Sequence, residues 1–249
     1  MRTFLVTGAI AALWSASAMA AEVKVLSAGA VEPGLHKAVE LFKKASGHTV
    51  SIQFNTAPQI AKRMADGYVA DILIAPPGGL KTYAEQGKVA KEGHVLIGKV
   101  GAGITVRPDA PAPDVKTTDA LKAAVLAADS LVYNTASTGL YIEKLFDRLG
   151  VGEQLKAKTT RHANGEAVME HVIKGKSKEI GFGAITEIKL YEVKGALKLV
   201  GPLPPDVQNY TSYGAALMSN SPSAEAAKAF MAFLGTPAAK QAFVSAGIE

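Results

Sequence analysis

The sequence contains no cysteine, so disulfide bonds, thiolate nucleophiles and cysteine metal ligands are all excluded. Its apolar runs are shorter than the roughly 20 residues that a membrane-spanning helix needs, and we expect no membrane-embedded segment in the mature protein. It also lacks a dense run of Lys and Arg with interleaved aromatic residues, which argues against a nucleic-acid partner. The 27 basic and 22 acidic residues give a formal net charge of +5, a balance that suits small anions.

Metal-binding and cofactor-binding motifs are missing as well. The five histidines do not form a pair at helical spacing; they are His36, His48, His94, His162 and His171. There is no G-x-S-x-G elbow for a serine nucleophile, and no phosphate loop or dinucleotide glycine pattern follows a predicted strand. We therefore expect no bound metal and no cofactor.

The first 20 residues have the features of an export signal. Arg2 precedes a mostly apolar run from Phe4 to Trp14, and Ala18-Met19-Ala20 supplies the small residues of a cleavage site. We predict that the leader is removed after Ala20 and that the mature protein is periplasmic.

The segment from Val23 to Ala75 alternates between strand and helix patterns. One buried helix face is formed by Leu35, Ala38, Val39 and Phe42. Residues 50–54 alternate as a strand, and residues 71–75 are an apolar run typical of a buried parallel strand. The strands end in small-residue turns (SAGA, NTAP and PPGG), so helix N-termini are expected to face one edge, where anions are favoured.

Two proline-rich stretches divide the rest of the chain. RPDAPAPD follows an extended segment at residues 95–106, and GPLPPD begins at Gly201; we expect the chain to cross between lobes near each stretch. A second α/β unit lies between them. The predicted domains are a signal peptide at 1–20, the first part of lobe 1 at 21–100, lobe 2 at 101–203, and a return to lobe 1 at 204–249.

Five stretches of the mature chain carry a family resemblance. In order, they are VKVLSAGAVEPGL, FNTAPQIAKRMADGYVADILIAP, NTASTGLYIEKLFDRLG, GEAVMEHVIKGKSKEIGFGA and AEAAKAFMAFLGTPAAKQAFVSAGIE. Through them the chain resembles the periplasmic solute-binding proteins of ABC importers, in the molybdate-binding-protein-like branch. The resemblance implies a type II periplasmic binding protein fold, in which two α/β lobes joined by two crossing strands close on a ligand. It also implies a monomer that delivers a small anion to an inner-membrane ABC permease.

The family's oxyanion site is only partly present in this sequence. The two positions that carry ligand-binding hydroxyls fall on Ala30 and Ala57, and a ligand-binding tyrosine falls on Ala184. Backbone N–H donors of the family fall near Thr138 and Gly165. Each lost hydrogen bond to a charged group costs about 1 kcal/mol or more, and alanine at these positions enlarges the cleft. We therefore expect an organic carboxylate or polycarboxylate as ligand, in place of molybdate.

Other side chains are candidates for the missing contacts. Ser137 and Thr138 lie in an ASTG turn, where hydroxyl and N–H groups can hold a carboxylate or merely cap a helix. Thr56 lies beside the lost hydroxyl at Ala57, although ordinary turn chemistry explains it nearly as well. Arg161 offers a planar fork suited to a carboxylate; the alternative is a solvated surface arginine.

Two functions remain open from the sequence. The first is a periplasmic binding protein for a small organic anion. The second is a cofactor-independent enzyme on the same scaffold that resembles aconitate isomerase. Such an enzyme would move a proton between two carbons of an allylic acid. For the enzyme, the candidate bases are Glu32, His162 and Glu166.

Overall fold

The computed structural model describes residues 20–175 and 178–249. The predicted signal peptide, apart from Ala20, therefore lies outside the described residues. Within those residues, no helix combines the length and the apolar character that crossing a membrane requires.

Strands and helices alternate through most of the described chain. The strands are β1 (Glu22–Ala28), β2 (Thr49–Asn55), β3 (Ile72–Ala75), β4 (Val95–Val106), β5 (Ser130–Asn134), β6 (Thr159–His162), β7 (Glu179–Ala184), β8 (Lys198–Pro202) and β9 (Tyr210–Leu217). The α-helices are α1 (Glu32–Ser46), α2 (Ala57–Ala65), α3 (Pro77–Glu85), α4 (Thr118–Ala127), α5 (Ser137–Arg148), α6 (Gly152–Lys156), α7 (Gly165–Lys174), α8 (Ile185–Glu192), α9 (Ala224–Leu234) and α10 (Pro237–Val244). Short 3-10 helices occupy Gly29–Val31 and Pro205–Val207.

The strands form two lobes that share one long strand. Their order is β2-β1-β3-β9-β4-β7-β5-β6, and β8 also pairs with β4. The first half of β4, up to Gly101, pairs with β9, whereas its second half, from Ala102, pairs with β7 and β8. The chain thus passes from lobe 1 to lobe 2 within β4 and returns before β9. The fold is the two-lobe type II periplasmic binding protein fold, and this change of partner supports the lobe limits that we propose at residues 100 and 203.

Each lobe has its own hydrophobic core. In lobe 1, helices α1, α9 and α10 pack together, and Phe42, Phe230 and Phe243 are among the most buried side chains. In lobe 2, Phe146 and Phe182 meet edge to face, with ring centroids 5.5 Å apart, next to Tyr133. Two cores of this kind let each lobe hold its cleft-facing turns firmly.

The ends of several helices follow from local sequence signals. Helix α1 ends at Gly47, whose φ of +75° is the left-handed conformation that favours glycine. Thr236 caps α10 through the N–H of Ala239, and Pro237 occupies its first turn. The side chain of Thr117 accepts the N–H of Ala120 and caps α4.

Candidate functional site

The cleft lies where helices of both lobes begin. The 3-10 helix Gly29–Val31 and helix α2 begin directly after β1 and β2 in lobe 1, and α5 and α8 begin after β5 and β7 in lobe 2. Because the first N–H groups of a helix have no partner within the helix, helix N-termini favour anions. The third predicted turn, PPGG, contributes only Pro76, because its other three residues belong to α3.

Two adjoining cavities occupy the cleft. The small cavity, of about 30 Å³, is lined by six of the predicted site residues. They are Ala30, Thr56, Ala57, Ser137, Thr138 and Ala184. The large cavity, of about 370 Å³, is lined by Gly165, Glu32 and Glu166 among others, and it shares Gly29, Asn55, Thr56 and Glu187 with the small one. The structure therefore brings all of these predicted residues to one place.

The expected enlargement of the cleft is not found at the alanine positions themselves. The small cavity there has room for only about two water molecules, because Tyr213 and Glu187 also line it. Space for a small organic molecule, which usually needs roughly 300 Å³ or more, is present only in the large cavity.

The lobe 2 turn that carries Ser137 and Thr138 is fixed by Asn134. The buried side chain of Asn134 accepts the N–H groups of Ala136 and Gly139, each at 3.0 Å. Helix geometry leaves the N–H groups of Ser137 and Thr138 without intrahelical partners, and both residues line the small cavity. They are the best-placed donors for an anion in lobe 2.

The facing lobe 1 turn is less complete. Gln59 Oε1 accepts the N–H of Thr56 at 2.8 Å, which is one half of a capping box. Among the described residues, Asn55 Oδ1 and Thr56 Oγ1 are buried without any hydrogen-bond partner. Both residues line both cavities. Unpaired buried polar atoms are costly, so a ligand that reaches these two atoms would gain stability by pairing them.

Tyr213 supplies a phenol to the cleft, although the family resemblance predicts that the ligand-binding tyrosine is absent. The family tyrosine falls on Ala184, but Tyr213 reaches the same small cavity from β9, the strand that follows the second crossing. Burial raises the pKa of the Tyr213 phenol, and the nearby Glu187 raises it further, whereas the hydroxyls of Thr211 and Ser137 lower it. Tyr213 therefore remains a neutral hydroxyl donor at any physiological pH.

Glu187 is an ionisable residue of the cleft that was not predicted from the sequence. It lies in the first turn of α8 and lines both cavities. Burial raises the pKa of its carboxyl to about 7. The N–H of Ala184 lowers this pKa because it favours the ionised form, and the nearby Glu32 raises it. A carboxyl with a pKa near neutrality inside a cleft is typical of functional sites.

Comparison with known proteins agrees with this architecture. Residues 23–249 match the family model of bacterial extracellular solute-binding proteins. The chain belongs to that family. An aconitate isomerase from a Pseudomonas species is 30% identical to it over 231 residues, which are 90% of this chain and 86% of that protein.

Solved structures of several binding proteins share the fold of this solute-binding protein. The periplasmic molybdate-binding protein of Azotobacter vinelandii superposes with a TM-score of 0.76 at 17% identity, covering 91% of this chain and 98% of that one. The sulfate-binding protein SubI of Mycobacterium tuberculosis gives 0.71 at 18% identity, covering 92% and 86%. AgtB of A. tumefaciens, in complex with agropinic acid, gives 0.66 at 14% identity, covering 92% and 82%.

Arg161 lies outside the cleft of this solute-binding protein, which corrects the sequence expectation. Its guanidinium donates to Glu143 at 2.7 Å and to the backbone oxygen of Asn134 at 3.2 Å, and it lies over the ring of Tyr133. It therefore lines a separate lobe 2 cavity. A bidentate grip on a cleft ligand would require breaking the ion pair with Glu143.

His162 is likewise turned away from both cleft cavities. Its Nε2 lies 2.9 Å from Nδ1 of His171, whose Nε2 lies 3.2 Å from the buried carboxylate of Glu179. Partial burial and then His171 lower the pKa of His162, while Glu179 raises it. Two of the five histidines that look scattered in the sequence thus meet in lobe 2, but no described group of three or more His, Asp or Glu side chains is arranged to hold a metal ion.

A larger cavity, of about 680 Å³, lies elsewhere on lobe 1. Its lining comes from α3, the start of β4 and neighbouring residues, and is mostly apolar. Because its walls come from one lobe only, it lacks the facing donors of the cleft, and the cleft is the stronger candidate site.

Proposed function

We propose that this protein captures a small organic polycarboxylate in the cleft between its lobes, as the binding component of an ABC importer. The observation that carries the proposal is the set of neutral donors that converge there from both lobes: the N–H groups of Ser137 and Thr138, and the hydroxyls of Thr56 and Tyr213. Such donors bind anions without requiring a counter-charge.

The size of the site favours a carboxylate over a compact oxyanion. Ala30, Ala57 and Ala184 present no side-chain donor to a tetrahedral ion in the small cavity. The adjoining cavity of about 370 Å³ leaves room for the carbon skeleton of a di- or tricarboxylate. We therefore assign one carboxylate group to the small cavity and the remainder of the ligand to the large one.

A titration panel tests this proposal. Isothermal titration of the mature protein with trans-aconitate, citrate, molybdate and sulfate should give saturable binding with a carboxylate and weak or no binding with the two inorganic ions. Tight binding of molybdate in preference to each carboxylate would contradict the proposal.

A second candidate function is a cofactor-independent isomerase that acts on a tricarboxylate such as aconitate. Two observations favour it: the relationship to an aconitate isomerase over 90% of the chain, and the near-neutral carboxyl of Glu187 in the cleft. An allylic shift needs a group that removes a proton from one carbon and a group that supplies one to another. Of the three bases expected from the sequence, Glu32 and Glu166 line the large cavity and His162 does not.

A proton NMR time course separates the two candidates. Protein mixed with trans-aconitate should leave the C–H proton signals of the ligand unchanged in area, although broadened, if it is a carrier. New cis-aconitate signals that grow with time would establish the isomerase. Glu32→Gln and Glu166→Gln, with His162→Ala as the variant outside the cleft, would then identify the base.

A further inference from the structure

The carboxyl group of Glu187 is held between the two lobes. A methyl group added to Gly29, in the first turn of lobe 1, would lie 3.2 Å from Glu187 Oε1. One added to Gly165, at the start of α7 in lobe 2, would overlap Glu187 Oε2 at 2.2 Å. The carboxyl of Glu187 occupies space that exists because both residues are glycine, and any larger residue at Gly165 would displace this carboxyl.

The helix that carries Glu187 also connects the lobes. The hydroxyl of Thr186, which is fully buried, donates to the backbone oxygen of Ala30 at 2.6 Å. This contact fixes the first turn of α8 against the first turn of lobe 1. Glu187 is thus positioned by a buried hydrogen bond at the preceding residue, and it is directed at the place where the lobes meet.

An ionised Glu187 is difficult to reconcile with an anionic ligand. The titratable groups that line the same two cavities as Glu187 are Glu32 on α1, Glu166 on α7, Tyr191 on α8, Tyr213 on β9 and Lys194. Carboxyl groups therefore outnumber cations in this lining. A third negative charge between two lobes that close on a carboxylate would repel the ligand.

We propose, resting on the carboxylate-binding function above, that Glu187 binds the ligand in its neutral form and donates its O–H to a ligand carboxylate, so that capture takes up a proton from solvent whenever Glu187 is ionised in the free protein. Protonation of Glu187 removes the repulsion and allows a hydrogen bond between its carboxylic acid and the ligand carboxylate, which is a strong type of contact. The same O–H group also favours an organic anion over a compact oxyanion, because Glu187 lines the large cavity, to which we assign the outer part of the organic anion.

The free protein is poised for this proton uptake. Burial of the Glu187 carboxyl raises its pKa to about 7, so about half of the molecules carry the proton at neutral pH. Below this pH the donor is already present. Above it, binding must include protonation, and the apparent affinity falls by about tenfold per pH unit.

Titration calorimetry with trans-aconitate tests the proposal from pH 7 to pH 8.5, a range in which the carboxyl groups of this probe are ionised. We expect the wild-type dissociation constant to rise about 16-fold over that range. Repeating the titration at pH 8.5 in buffers of different ionisation enthalpy should reveal the uptake of about one proton per ligand, compared with about 0.1 at pH 6.

Variants assign the proton to its residue. Glu187→Gln keeps a donor that cannot ionise, so its affinity should be independent of pH and should exceed that of wild type at pH 8.5. Glu187→Ala lacks the donor and should bind at least about tenfold more weakly at pH 6. Glu40→Gln, on the exposed side of α1, removes a carboxylate outside the cleft and should retain the wild-type slope.

The outcomes separate this proposal from the function on which it rests. Binding of trans-aconitate with the same affinity at every pH would overturn the role of Glu187 while leaving carboxylate capture intact. A pH slope that persists in Glu187→Gln would also overturn it. Absence of binding at any pH would overturn both proposals.

Discussion

The two faces of the cleft are built differently. In lobe 2, the turn before α5 is closed by Asn134, which binds two backbone N–H groups, and the start of α7 is closed by Asn164, which binds the N–H of Ala167. In lobe 1, Asn55 Oδ1 and Thr56 Oγ1 are buried and, among the described residues, have no hydrogen-bond partner. The lobe 2 turns are held in place without ligand and present the free N–H groups of α5, whereas the lobe 1 face leaves unpaired side-chain atoms for the ligand to satisfy.

This difference predicts two kinds of mutational effect. Changes in the lobe 2 turns should mainly alter the free energy of unfolding, because they remove hydrogen bonds that exist in the free protein. Changes in the lobe 1 turn should mainly alter affinity, because its unpaired atoms make no hydrogen bond in the free protein that a substitution could break.

The largest expected effect is at Gly139 in lobe 2. An added methyl group would lie 1.7 Å from the backbone oxygen of Asn134, so the turn must move. We expect Gly139→Ala to lower the free energy of unfolding by at least about 3 kcal/mol, measured by urea denaturation. Gly78→Ala is the matched control, because a methyl group there meets no atom within 4 Å. Equal stability of the two variants would contradict the tight packing of this turn.

The next largest effect is at the side chain that closes the same turn. Asn134→Ala leaves the N–H groups of Ala136 and Gly139 buried and unpaired, and should cost about 2 kcal/mol of stability. Asn164→Ala removes a single cap at a half-buried position and should cost about 1 kcal/mol. Thermal and urea unfolding measure both values. If Asn134→Ala were the milder change, Asn134 would not be the organising residue of the lobe 2 face.

In lobe 1, the effect should appear in binding. Thr56→Val removes the unpaired hydroxyl while keeping the shape of the side chain, so stability should change by less than about 0.5 kcal/mol. Affinity for a carboxylate ligand should fall about tenfold or more, because a hydrogen bond to a charged group is lost. Titration calorimetry provides the measurement, and Thr82→Val, on α3 outside the cleft, provides the control. A clear loss of stability in Thr56→Val would remove the distinction between the two faces.

The smallest effect concerns Glu187, which contacts both faces. Its pKa is raised from 4.5 to about 7 in the folded protein, so the folded state holds the proton more tightly than the unfolded state. The stability that comes from the protonated carboxyl is complete below about pH 4.5 and is lost as the pH rises to about 7. Relative to Glu187→Gln, the wild type should therefore lose on the order of 1 kcal/mol across this range, a value reduced by partial exposure of the carboxyl. Parallel stability curves for the two proteins would contradict the raised pKa.

Much of the fold could be predicted because its strands and longer helices have clear patterns. The stripe on α1, the run of β3 and the cap of α10 are local features, and each lies where the sequence indicates. Helix α8 was missed because its eight residues are too few to display a helical period. Strand β6 was missed because Thr159–His162 is polar and lacks alternating apolar residues.

The site was predictable where it depends on turns and not where it depends on distant pairing. Ala30, Ala57 and Thr138 follow strands that the sequence identifies, so they could be placed in the cleft. Tyr213 faces the cleft because of the register of β9 against β4, which joins residues more than 100 positions apart. Glu187 was missed together with its helix, and Arg161 was misplaced because nothing in the sequence identifies Glu143 as its partner.

The most direct test of the account is a competition titration of the mature protein with trans-aconitate in the presence and absence of excess molybdate at pH 6. We predict saturable binding of trans-aconitate that molybdate does not displace. Ala30, Ala57 and Ala184 offer no side-chain donor to a tetrahedral oxyanion, and the large cavity of about 370 Å³ has room for the carbon skeleton of trans-aconitate. Complete displacement by molybdate would contradict the claim that this cleft takes an organic carboxylate.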